Sequence, residues 1–248
     1  VVVRYVDYLV NVLQGDFGDS YVSQQPVVSI LMPKFPTTLK LALLSVVISA
    51  LLGIPLVIIS DVKPNSVLDS FLTTMSLFFA SVPSFWLGLM FMLIFSLMLG
   101  WLPSSGIGTW KHYIMPVITL VLPSAAWLAR LTRSTMIDAV NQDYIRTAKS
   151  KGAMTPRVMF LHALRNAMMP VVTQLGMSFA SLLGGALITE MVFGLPGFGS
   201  TIVNAIKTKD IPIVMGGIIF LTTTFILIML VVDITYAFID PRVKDMYE

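Results

Sequence analysis

Residues 211–232 read Ile-Pro-Ile-Val-Met-Gly-Gly-Ile-Ile-Phe-Leu-Thr-Thr-Thr-Phe-Ile-Leu-Ile-Met-Leu-Val-Val, without a single charge. A helix needs about 20 apolar residues to cross a bilayer, and this run has that length. The rest of the chain repeats the pattern. Leu41 to Ser60 is a second run, with Lys40 placed to snorkel at its edge. Ser70 to Trp110 is charge-free but too long for one crossing, and Gly100-Trp101-Leu102-Pro103-Ser104-Ser105-Gly106 reads as the turn that ends it. Tyr113 to Ala129 and Asn166 to Thr189 complete the set. The period-2 alternation of a barrel is missing, so helices must satisfy the backbone in lipid. The reading is an all-α integral membrane protein with five transmembrane helices in this chain.

Composition agrees. The 248 residues are 56% hydrophobic and 12% charged, against about 25% charged in a soluble domain. Such a chain lacks the polar side chains to cover itself in water. It has no cysteine, which excludes disulfides and thiolate metal sites.

Basic residues set the orientation. The segment between the third and fourth runs carries Arg130, Arg133, Arg146, Lys149, Lys151, Arg157 and Arg165. The positive-inside rule makes it cytoplasmic. Counting crossings then puts residues 191–210, 100–112 and 1–36 outside, and 61–69 and the tail with Arg242 and Lys244 inside. The expected organisation is an external interfacial segment (1–36), a membrane domain (37–240) with a cytoplasmic loop at 132–162, and a cytoplasmic tail (241–248). An external start implies a further helix before Val1, six in all. Within 1–36, Tyr5, Tyr8, Leu9, Val12 and Leu13 recur at helical spacing, as in an interfacial helix, and Gly15 to Ser20 reads as a turn.

The cytoplasmic loop has its own design. Asn141 or Asp143 can cap a short helix over Tyr144 to Lys151. Gly152 follows, where a left-handed backbone is free of strain. Thr155 caps a second helix with Pro156 at its first position. Tyr144, Thr147, Ala148 and Lys151 share one face, and small Ala148 lets another surface approach. A hairpin of this kind suits force transmission from a cytoplasmic partner. The same basic residues also satisfy the positive-inside rule without any such role.

Here the sequence resembles a family. Asp143-Tyr144-Ile145-Arg146-Thr147-Ala148-Lys149-Ser150-Lys151-Gly152 is similar to the cytoplasmic motif of binding-protein-dependent ABC importer permeases, with Ala148, Gly152 and Leu164 matching strictly. The wider match is to the first permease of the dipeptide, oligopeptide and nickel group. It runs through Gly15 to Ser20, Val82 to Leu89, Gly100 to Gly106, His162 to Ala167, Phe193 to Gly199 and Asp240 to Arg242. The resemblance implies a type I ABC importer-like permease fold in a bacterial or archaeal cytoplasmic membrane. It implies a second homologous permease, two cytoplasmic ATPases that bind ATP and Mg, and an external substrate-binding protein. Membrane lipid surrounds the chain, and nucleic acid is not a partner. The coupling loop would consist of Asp143, Tyr144, Arg146, Thr147, Ala148, Lys151, Gly152, Thr155 and Pro156. Di- or oligopeptides are the expected cargo, with nickel or a metallophore as the alternative. A stand-alone channel or secondary transporter is the rival class.

Other polar residues carry open readings. Gln174, Ser178 and Ser181 form a stripe on the fourth helix that could line a route or join neighbouring helices. Small residues at 176, 180, 184 and 185 favour close packing there. Asp233 could pair with Arg130 or Arg133, since an intramembrane carboxylate needs a partner or water. Glu190 sits at an external helix end, where water could solvate it. Phe193 to Gly199 reads either as a buried irregular segment or as an ordinary loop. The chain has no Gly-x-x-x-x-Gly-Lys-Ser/Thr loop and no metal or nucleophile constellation, so it is expected to be a transport subunit without cofactors or ATPase chemistry of its own.

Overall fold

The long apolar runs are all helical in a computed structural model, which describes residues 2–61, 67–152, 158 and 163–239. Helix α1 spans Val2–Leu13 and leaves Val6, Leu9, Val10 and Leu13 exposed, as an interfacial helix would. The turn after it is built on Gly15 and Gly18, with φ of 84° and 82°. The Asp16 carboxylate accepts from the Gly18 N–H at 2.8 Å. Helix α2 (Val27–Leu31) leads through one tight turn (Met32–Lys34) into α3 (Phe35–Asp61). The first span therefore starts before the charge-free run. Lys40 lies inside the helix, where its aliphatic stem can follow the apolar surface.

The run after residue 70 is broken. Helix α4 (Val67–Ser81) ends before Pro83, and α5 (Ser84–Phe91) begins just after it. Proline cannot donate to the helical ladder and disfavours helix at the residue before it. Helix α5 continues as a wider π-helix over Met92–Met98, with the Leu99 N–H bonded to the Ile94 carbonyl at 3.0 Å. The expected turn follows, with Gly100 at φ 63° and Gly106 at φ 97°.

Helix α6 (Lys111–Val140) runs far beyond the apolar stretch into the basic segment. Then come α7 (Asp143–Ser150), α8 (Leu164–Gly185), α9 (Leu187–Val192), α10 (Phe198–Lys207) and α11 (Ile211–Ile239). Among the described residues four helical stretches are long and apolar enough to cross a membrane, and the pair 70–81 and 84–98, bent by 100°, adds a fifth if it is counted as one span.

The chain folds as two compact units that share its long helices. One holds Val1–Leu44, Ser84–Thr119 and Ala180–Leu227. Its core gathers Val27, Leu31, Phe198, Ile202, Ala205 and Ile213. Phe35, Phe198 and Phe220 add a ring cluster with centroids 5.1–6.0 Å apart. The other unit holds Ser45–Pro83, Leu120–Phe179 and Ile228–Glu248. There the missing side chain of Gly53 lets α3 meet α6, because a Cβ would stand 2.9 Å from the Ala125 carbonyl oxygen. At Gly176 a Cβ would overlap Val232, so α8 and α11 approach closely. At Gly184 a Cβ would meet no described residue, so within this chain the small-residue face packs at 176.

Candidate functional site

The helix at 143–150 begins as a sequence problem. Asp143 to Ser150 is too short and too polar to hold a helix in water by itself. A single aliphatic side chain anchors it. Ile145 is 1% exposed and packs with Met136 and Ala139 of α6 and with Val158, Ala163 and Ala167. Sequence reading passed over Ile145, whose signal is its place as a lone aliphatic residue among polar neighbours. The Ile145 N–H bonds the Gln142 carbonyl at 3.1 Å, which starts the helix. Asp143 lies within its first turn, 3.7 Å from Arg146 in an exposed ion pair. Exposed pairs of this kind add little.

Gly152 closes the helix as expected. Its φ is 79°, and the Lys151 N–H bonds the Thr147 carbonyl at 3.1 Å. Asp143, Tyr144, Arg146, Thr147 and Lys151 are exposed. Ala148 is half-buried and leans on the Ile145 cluster, so it borders the open face and does not stand at its centre. Thr155 and Pro156 lie outside the described residues.

The other candidates are placed as follows. Gln174 donates to the Ser178 hydroxyl at 3.4 Å, one turn away on α8, and Ser181 is exposed. The Arg130 guanidinium lies 5.5 Å from the Trp127 ring centroid. Arg133 donates to the Thr73 hydroxyl at 3.1 Å. Asp233 is exposed, and among the described residues no ion pair joins it to either arginine.

Two buried polar clasps, at Glu190 and at Asp210, escaped the sequence reading. The first corrects Glu190, which is 0% exposed and not solvated. Its carboxylate accepts from the Thr38 hydroxyl and from the Ser200 N–H, the latter at 2.8 Å. Thr38 in turn accepts from the Phe198 N–H at 2.8 Å. Gly197 abuts the carboxyl group so closely that any Cβ would overlap it. Burial pushes the Glu190 carboxyl up, while the Thr38, Ser200 and Gly199 bonds pull against that rise. Phe193, Leu195 and Phe198 are buried around this node, so residues 193–199 form the buried irregular segment rather than an ordinary loop.

The second clasp is Asp210, 2% exposed. Helix α10 ends with Lys209 left-handed at φ 58° and the Asp210 N–H on the Ala205 carbonyl at 2.8 Å. The carboxylate then serves α11 as an N-terminal cap and grips the segment before α2. It accepts from the Ser20 hydroxyl at 2.5 Å and the Tyr21 N–H at 3.0 Å. Burial alone would raise this carboxyl. The Ser20 hydroxyl and the Tyr21, Val22 and Ile213 N–H groups outweigh it and hold the group below the ordinary aspartate range. An aspartate directly before an apolar helical run was the available signal.

The comparisons follow the same lines. The family model described as "binding-protein-dependent transport system inner membrane component" matches residues 46–245. The glutathione transport system permease protein GsiC of Salmonella typhimurium strain LT2 is 41% identical over 242 residues, 98% of this chain and 79% of that protein. Its counterpart from Escherichia coli K12 is 41% identical over 97% of this chain and 79% of that protein. Among solved structures, an inward-facing methionine ABC transporter matches with TM-score 0.69 at 16% identity. That match covers 86% of this chain and 97% of the other. An amino acid ABC transporter matches with TM-score 0.64 at 16% identity, over 87% of this chain and 94% of that one. At this identity the two structures show the fold alone.

Proposed function

Because the chain belongs to the family of binding-protein-dependent transport inner membrane components, we propose that it conducts glutathione or a similarly small peptide inward through a cavity shared with a second permease. It is a permease subunit of an ABC importer in the inner membrane. The observation that supports the cargo is the 41% identity with a glutathione permease across 98% of the chain.

The proposed partners are a homologous permease, two cytoplasmic ATPases that bind ATP and Mg, and an external substrate-binding protein. Helix α7 is the coupling element in this reading. Its exposed face of Tyr144, Arg146, Thr147 and Lys151 meets an ATPase, and Ile145 transmits displacement to α6 and α8 through the buried cluster. ATP-driven closure of the ATPase pair then moves the membrane helices between two packed states. Gln174, Ser178 and Ser181 offer polar groups to the route.

The test is uptake into proteoliposomes holding the permease with its partner subunits and binding protein. Glutathione should accumulate only with ATP, and ATP hydrolysis should rise with loaded binding protein. Uptake driven by an ion gradient without the ATPases would assign the rival class. ATP-driven uptake of a nickel complex but of no peptide would overturn the cargo.

A further inference from the structure

A cleft of about 200 Å³ opens among α3, α4 and α6 within the second unit. Leu56, Phe79, Leu122, Ala125 and Ala126 give it apolar walls, and Arg130 and Arg133 are the last residues of α6 to line it. Helix α6 fixes the depth. From His112 to Arg130 is eighteen residues of helix, roughly 27 Å at 1.5 Å per residue. The hydrocarbon core is about 30 Å thick. With His112 outside, Arg130 lies at the cytoplasmic boundary. The apolar wall from Ala129 back to Leu122 then runs roughly 10 Å toward the middle of the membrane.

We propose that this cleft binds an anionic phospholipid of the cytoplasmic leaflet, with its phosphate at Arg130 and an acyl chain in the groove. The chemistry distinguishes this occupant from a peptide. Apart from the arginines, the polar side chains of the lining are Thr73 and Ser76. Thr73 already accepts from Arg133. A peptide inserted there would leave backbone amides without partners, which is unfavourable in an apolar site, whereas an acyl chain asks for none. Trp127, half-exposed beneath the Arg130 guanidinium, has the interfacial depth that tryptophan favours. Its ring holds the cation at that depth. Basic pockets between helices on the cytoplasmic side are suited to anionic headgroups.

The experiment is native mass spectrometry of the intact transporter offered phosphatidylglycerol and phosphatidylcholine with identical chains. The wild type should retain phosphatidylglycerol at least about fivefold over phosphatidylcholine. Arg130→Gln should lose about fivefold of that retention, the worth of one basic residue near a charged surface. Arg130→Lys should keep it, and Ala129→Phe should expel both lipids. Equal retention of the two lipids by the wild type would overturn the proposal. So would unchanged phosphatidylglycerol on Arg130→Gln. Displacement by glutathione would assign the cleft to the transport route instead. No lipid retained in the intact transporter would also overturn the proposal. If Arg130→Gln does not assemble, the wild-type competition and Arg130→Lys still decide.

Discussion

Gly197→Ala perturbs the Glu190 clasp with one methyl group. A Cβ at this position overlaps the Glu190 carboxyl carbon and both its oxygens. The carboxylate is fully buried and fixed by the Thr38 hydroxyl and the Ser200 N–H. Moving it aside breaks at least one of those bonds. Overpacking a buried site costs about 1–3 kcal/mol. Losing a hydrogen bond to a charged group costs about 1.5–3 kcal/mol. The single substitution should therefore destabilise by roughly 3–4 kcal/mol. In a Glu190→Ala background the overlap is gone, and adding Gly197→Ala should change stability by less than about 0.5 kcal/mol. The coupling between the two sites is then about 3 kcal/mol, or roughly 6–12 °C in unfolding midpoint for a chain of this size. Thermal unfolding of the four variants, purified with identical partner subunits, measures it. Equal destabilisation by Gly197→Ala in both backgrounds would refute the packing argument. So would a wild-type-like Gly197→Ala protein.

Three further outcomes are expected. Gly152→Val places a β-branched residue at φ 79°, with a strain of about 1–2 kcal/mol. Insertion should survive while ATPase pull-down and ATP-driven uptake fall, and unimpaired binding with full uptake would sink the coupling role. Cysteines placed at Ser150 and Ser105 should react with impermeant thiol reagents from the cytoplasmic and external sides respectively; reaction from one side for both would remove the topology. Asp210 has a depressed folded-state pKa, so its contribution is present above the unfolded value and lost as pH falls through the folded one. The stability gap between wild type and Asp210→Asn should be constant near neutral pH and shrink below about pH 4, and a gap that widens there would contradict the assignment.

The departures from the sequence reading share a cause. The apolar spans, the helix at 2–13 and the left-handed Gly152 are local facts. A helix in lipid satisfies its own backbone, so length and hydropathy decide it. A glycine after a polar helix answers a steric requirement set by its immediate neighbours. The family was legible for the same reason, because motifs such as Phe193 to Gly199 are contiguous in sequence. The break at Pro83 was not read from the sequence, which ended that charge-free run only at the 100–106 turn, although a proline inside the run was the available signal.

The clasps were not legible. Glu190 meets Thr38 across 152 residues, and Ser20 meets Asp210 across 190. Nothing in hydropathy brings those positions together. An acidic residue at the end of an apolar run looks the same whether water or a buried hydroxyl receives it. Asp233 makes the converse point: the same sequence argument that sought a partner for it finds the side chain exposed. Sequence by itself thus determined which stretches are apolar enough to cross a membrane and which family they build. Tertiary structure alone decided which polar groups are withdrawn from water, because that depends on where distant helices cross and on how closely glycines such as Gly53, Gly176 and Gly197 let them approach.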